Sequence, residues 1–133
     1  MTRKQARDLA FKLLYQADMQ KETVEEILNI YNSQKELTDE SAKKYIVNAI
    51  FGVEMNLKEI DDEISKYSKD WSIDRLSKIT LAALRLGIFE IKYCEDIPNT
   101  VAANEAVSLV KTYEDEKNAG FVNGILASVI GRN

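Results

Sequence analysis

The 133-residue sequence contains no histidine and a single cysteine, Cys94. Without histidine there is no imidazole base, no Ser-His or Cys-His couple and no histidine-bearing metal centre. One cysteine makes neither an internal disulfide nor a thiolate zinc site, and a chain without disulfides suits a reducing compartment, so a cytoplasmic protein is expected. Glycine is sparse: the five, at 52, 87, 120, 124 and 131, are scattered and build no phosphate-cradling loop. There is one proline, Pro98, and one tryptophan, Trp71. No apolar run is long enough for a membrane helix, and no secretory leader is visible. Catalysis would have to rest on carboxylates or lysines, and no convergent set of either stands out.

What the chain does have is apolar periodicity. Apolar residues make up 45%, enough to bury a core in a single domain spanning residues 1–133. In residues 79–93, Leu81, Leu84, Leu86, Ile88, Phe89 and Ile91 point in nearly every direction around a helix. A helix apolar on all sides is surrounded by protein. This stretch is therefore predicted to be the buried central helix, capped by Ser77 and ending before Pro98. Arg85 and Glu90 lie on different faces of it and do not pair with one another. Each needs an outside partner, because a lone buried charge is costly; Glu105 is the expected partner of Arg85.

The remaining segments supply helices to pack around this one. Thr2-x-x-Gln5 and Thr23-x-x-Glu26 are capping boxes that open the first two. Thr38 or Asp39 caps a third, which Gly52 weakens without ending, and Asn56-x-x-Glu59 restarts a fourth. Residues 32–37 and 68–72 read as connectors, with Trp71 anchoring the core and residues 74–76 forming a short helical turn. Pro98 takes the first position of a sixth helix. Residues 114–120 read as a polar loop, and 121–124 lead into a last short helix. Asp61, Asp62 and Glu63 read as a solvated acidic face rather than a cation site. No segment alternates like a strand, so the fold class is all-α.

Charge is unevenly spread. The net charge is −4, yet residues 1–21 carry five basic groups against two acidic ones, while residues 22–70 carry six against twelve. On the first helix Ala6, Leu9, Ala10, Leu13, Leu14 and Ala17 form the apolar face. The neighbouring face gathers Lys4, Arg7, Phe11 and Tyr15, with Arg3 at its edge. Cations meet phosphates and rings stack on unpaired bases, so this face suits RNA. The competing account is that Phe11 and Tyr15 widen the core stripe and the cations are merely solvated. On the first helix alone the spacing favours that account.

Three separated stretches go further: Ala6-Arg7-Asp8 with Leu14-Tyr15-Gln16; Leu84-Arg85 with Phe89-Glu90 and Asp96-Ile97-Pro98; and Asn104-Glu105-Ala106-Val107, Lys111 and Phe121-Val122-Asn123-Gly124. In this order and spacing, over almost the whole length, the chain resembles the NusB family of bacterial transcription antitermination factors. The resemblance implies an all-α fold of about seven helices in two packed sub-bundles. It also implies binding of the boxA element of nascent ribosomal RNA transcripts together with NusE, a protein of the small ribosomal subunit, in a complex on RNA polymerase. No catalysis and no cofactor are implied. Carried over by position, the RNA surface includes Arg7, Tyr15, Phe121 and Asn123; Arg3, Lys4 and Lys12 join it by charge and position. Asn123 reads a base edge and Phe121 stacks, or the pair simply starts a helix, with asparagine as cap and phenylalanine buried; for Asn123 the two weigh about equally.

The chain departs from the family pattern at Glu114, where relatives often have glycine, and at Gly120, where they often have a basic residue. Three consecutive acids, Glu114, Asp115 and Glu116, repel phosphates, so weak RNA binding without NusE is expected, with basic NusE adding the attraction. The acidic middle of the chain offers NusE a dock. Two other readings stay open. One is a helical interaction module with no RNA role. The other is an RNA-recruiting domain like that of ribosomal RNA cytosine methyltransferases, whose glycine-rich catalytic domain is not seen before Asn133. The resemblance is compatible with a monomer or a homodimer, and with no membrane partner.

Overall fold

A computed structural model describes residues 1–35, 37–69 and 71–131. Among them the chain forms seven α-helices: α1 (Arg3–Gln20), α2 (Val24–Gln34), α3 (Glu40–Met55), α4 (Leu57–Tyr67), α5 (Lys78–Tyr93), α6 (Asn99–Tyr113) and α7 (Glu116–Gly131). A 3-10 turn, Ile73–Arg75, precedes α5, close to the turn expected at 74–76, and no strand is present among the described residues. The helix α5 is central, as its all-round apolarity requires. Every residue from 80 to 91 is buried except Arg85, which is half-buried. It touches α1 and α3, which with α2 form one sub-bundle, and α4, α6 and α7, which form the other. Fully burying each of Leu84, Leu86 and Ile88 contributes about 1.5–3 kcal/mol.

Local chemistry sets the helix starts. Thr2 and Thr23 both make complete capping boxes. Asp39 caps α3, accepting from the Ala42 N–H at 3.1 Å, and Ser77 caps α5, accepting from the Thr80 N–H at 3.0 Å. Each such cap contributes about 1 kcal/mol. Gly52 sits where α3 crosses α5: a Cβ there would lie 2.2 Å from Cε1 of Phe89. The glycine lowers helix propensity, but it lets the two backbones approach over an aromatic ring.

Several local expectations are corrected. The helix α2 continues to Gln34, so the connector expected at 32–37 is shorter; Glu36, within it, and Asp70, within the second connector, lie outside the described residues. Asn56 does not cap α4 with its side chain. Its amide instead donates to the Gly52 carbonyl at 2.8 Å and closes α3. Trp71 is 49% exposed rather than a core anchor. A tight turn, in which the Ser68 hydroxyl and the Trp71 N–H bond across to one another's backbone, leaves the ring outside, and Ile73 and Leu76 pack on the core in its place. Pro98 is the N-cap of α6, not its first residue; its carbonyl accepts from the Ala102 N–H at 3.1 Å, a role that needs no N–H of its own. The loop expected at 114–120 is only two residues long. Asp115 accepts from the Asn118 N–H at 2.7 Å and starts α7 early, so residues 121–124 lie inside a helix.

Candidate nucleic-acid interface

The cationic start of α1 is partly consumed by the fold. Glu90, buried on α5, needs a donor, and Arg7 on the inward side of α1 supplies it. The Arg7 Nε donates to both Glu90 carboxylate oxygens at 3.1 Å. The hydroxyl of Tyr45, on α3, donates to the same carboxylate. Burial lifts the Glu90 carboxyl above the usual range, against the pull of Tyr45 and Arg7. Burial also works against the Arg7 charge, but Glu90 and Tyr45 outweigh it and hold the guanidinium protonated. Arg7 is only 4% exposed. The expectation that it contacts RNA is therefore corrected: Arg7 ties α1 to α5 and lies beneath the surface.

The other predicted residues fall on two helices, α1 and α7. Arg3 is exposed, with its guanidinium 4.5 Å over the Tyr45 ring. The side chain of Lys4 is 69% exposed and pairs with Glu105 at 3.2 Å. Lys12 is exposed and pairs with Asp8 at 2.9 Å, its ammonium 5.4 Å from the Tyr113 ring centre. Tyr15 is half-buried and packs on the core, as does Phe121 on α7; Asn123 is exposed on α7. Phe11 is buried, as the core account of its spacing has it.

The first helix packs on α2, α3 and α5, whereas α7 packs on α4, α5 and α6. What joins the two predicted halves is Tyr113, the last residue of α6. Its ring stacks on Phe11 at 5.4 Å and its hydroxyl donates to Asp8, both on α1. The helix α7 begins three residues later, so its first Cα lies within about 11 Å of the Tyr113 Cα. The result is an exposed strip: Lys4 and Lys12, then Tyr113, then the start of α7.

Acidic residues are less free than the sequence suggests. Glu105 goes to Lys4, so it is not the partner of Arg85. Arg85 instead donates through Nε and Nη2 to Asp61 at 2.9 Å each, with Asp18 at 3.4 Å, because α4 and the far end of α1 flank that side of α5. Glu63 pairs with Lys92 and Asp62 with Lys58, so the acidic face of α4 is largely matched by cations rather than merely solvated. No group of carboxylates suited to a metal occurs among the described residues. Glu114 turns inward and accepts from the hydroxyls of Ser77 (2.9 Å) and Thr80 (2.6 Å), leaving Asp115 and Glu116 as the outward acids of the expected run. Burial, then Glu90 and Asp96, push the Cys94 thiol up to about 11, which leaves it unreactive near neutral pH.

The model of the NusB family matches residues 4–131. The chain belongs to the NusB family. It is 45% identical over 130 residues to the transcription antitermination protein NusB of Acetivibrio thermocellus, across 98% of this chain and 89% of that one. To the NusB of Clostridium novyi it is 39% identical over 131 residues, across 98% of both. The fold is similar to T. maritima NusB, with a TM-score of 0.92 and 36% identity over 100% of this chain and 93% of that one. It is similar also to a chain in a crystal structure of the antitermination factors NusB and NusE in complex with dsRNA, with a TM-score of 0.89 and 34% identity over 98% of this chain and 97% of that one. Among the described residues of this NusB-family chain, no helix is long and apolar enough to cross a membrane.

Sequence reasoning passed over four residues that shape this region. Tyr45 and Tyr113 sit at positions where helical periodicity shows only their apolar rings; their hydroxyls donate to Glu90 and to Asp8, partners that only the packed helices supply. Lys43 and Lys44 were lost in the acidic average of residues 22–70; as an adjacent pair they were visible.

Proposed function

We propose that this chain is a transcription antitermination factor. It binds the boxA element of nascent ribosomal RNA transcripts together with NusE, as part of a complex on RNA polymerase in the bacterial cytoplasm. It acts by binding alone, with neither catalysis nor cofactor, and the family-matched residues work as one RNA-binding helical domain. The observation that carries this reading is the likeness, over 98% of the chain, to a protein solved with NusE and dsRNA. The exposed cations Arg3, Lys4 and Lys12 on α1 support it: with Tyr15 beside them and Phe121 and Asn123 on α7, they form the RNA surface. Arg7 supports that surface from below.

The test is a salt titration of binding to boxA RNA and to a scrambled RNA, with and without NusE. BoxA is expected to bind more tightly than the scrambled sequence, with NusE tightening it and salt weakening it. Phe121→Ala is expected to lose about 1–3 kcal/mol of RNA affinity, the usual worth of a stacked base. Equal binding of the two RNAs, or none even with NusE, would sink the reading. Unchanged affinity with a lowered melting temperature would make Phe121 a core residue only.

A further inference from the structure

A groove of about 1280 Å³ lies between the start of α1, α3, the end of α5 and the start of α6. Its lining includes Arg3 and Lys4 from α1 and Lys43 and Lys44 from α3. Lys43 and Lys44 are exposed. Among the described residues no carboxylate pairs with Arg3, Lys43 or Lys44, whereas Lys4 has Glu105. Of the four acids in the lining, Glu90 is committed to Arg7 and Tyr45 and Glu105 to Lys4, leaving Glu40 and Asp96 against three unpaired cations.

The placement of Arg3 is built. Tyr45 follows Lys44 on α3, and its hydroxyl is anchored on buried Glu90, so its ring is a fixed shelf. Arg3 rests on that shelf with its donors free to face outward. Three like charges held along one groove repel one another, and an anion laid among them relieves the repulsion. A strand of linked phosphates supplies such anions at regular spacing. Val101, 42% exposed on the α6 wall, offers an apolar surface for sugars or bases.

We propose that this groove is an extension of the RNA site. Arg3, Lys43 and Lys44 take the phosphates of nucleotides that flank the element held by α1 and α7, so the transcript passes over the amino-terminal end of α1 onto α3. This rests on the RNA reading above and adds Lys43 and Lys44 to it, with Arg3 at the junction of the two stretches.

The experiment compares the full chain with Lys43→Gln/Lys44→Gln in the presence of NusE. The RNAs are boxA alone and boxA extended by flanking nucleotides, titrated between 50 and 200 mM salt. On the extended RNA, losing two phosphate contacts makes the log–log salt slope shallower by about 1.4, so the wild-type advantage shrinks about 7-fold across that range. On boxA alone the two proteins are expected to match. Lys43→Arg/Lys44→Arg should behave as wild type. Lys66→Gln/Lys69→Gln, an equal charge loss on and just after α4 outside the groove, should leave the slope unchanged. A slope change equal in this control would reduce the effect to net charge and overturn the proposal. Unchanged affinity and slope for Lys43→Gln/Lys44→Gln on extended RNA would overturn it too, leaving the groove to an acidic protein segment while boxA binding stood. If the wild type bound neither RNA, both readings would fall together.

Discussion

Arg85 and Glu90 sit five residues apart on the same buried helix, yet the molecule treats them differently. Glu90 is held in the interior: its side chain is 1% exposed and that of its partner Arg7 is 5%. Arg85 works at a rim, 13% exposed, against Asp61 and Asp18 that are 24% and 25% exposed. The first network closes α1, α3 and α5 on one another through three side chains. The second fastens α4 and the end of α1 to α5 with water close at hand. An interior charge left alone has no solvent to turn to, whereas a rim charge does. The difference explains why the conspicuous arginine of α1 is structural while its neighbours Arg3 and Lys4 remain at the surface.

Breaking the interior network is expected to have the largest effect. Arg7→Met leaves Glu90 without its cation and should cost about 3–5 kcal/mol in urea unfolding. Arg85→Met should cost less, about 1–3 kcal/mol, because Asp61 and Asp18 can hydrate. Equal losses would erase the distinction between the two sites. The smallest and sharpest effect is in pH. The folded state holds the Glu90 carboxyl above its ordinary value, so the cost of ionising it is absent below the unfolded pKa, near 4.5, and complete above the folded one. Without Arg7 that gap widens. The deficit of Arg7→Met should therefore shrink as pH falls from 7.5 to 5, by at most about 1.4 kcal/mol per pH unit, while that of Arg85→Met should not. A pH-independent deficit in Arg7→Met would mean Glu90 is not the group left stranded.

Much of the fold was legible, for stated reasons. Two capping boxes and Ser77 mark helix starts by local hydrogen bonding, which sequence spacing reveals directly. The central place of α5 follows from apolarity on every side. The need of Glu90 for an outside partner was equally plain, but the identity of that partner was not. Which cation reaches it depends on how α1 crosses α5, a property of tertiary packing. The same holds for Arg85, whose partners come from α4 and α1 rather than α6. Trp71 and the start of α7 were misplaced because turn residues were weighed by type: a serine hydroxyl that closes a turn, and an aspartate that caps a helix, overrode them. For the proposed interface, Lys4, Lys12, Tyr15 and Phe121 were candidates from pattern and likeness, whereas Lys43 and Lys44 become candidates only once α3 is laid beside α1.

The missing side chain at position 52 makes room for Phe89, one of the residues that line the groove. The Phe89 ring fills the space a methyl would claim and stacks on Tyr93 at 5.7 Å, so displacing it would be felt both in the channel and at the outer end of α5. One hydrogen atom on α3 thus decides where an aromatic ring of the groove wall can sit.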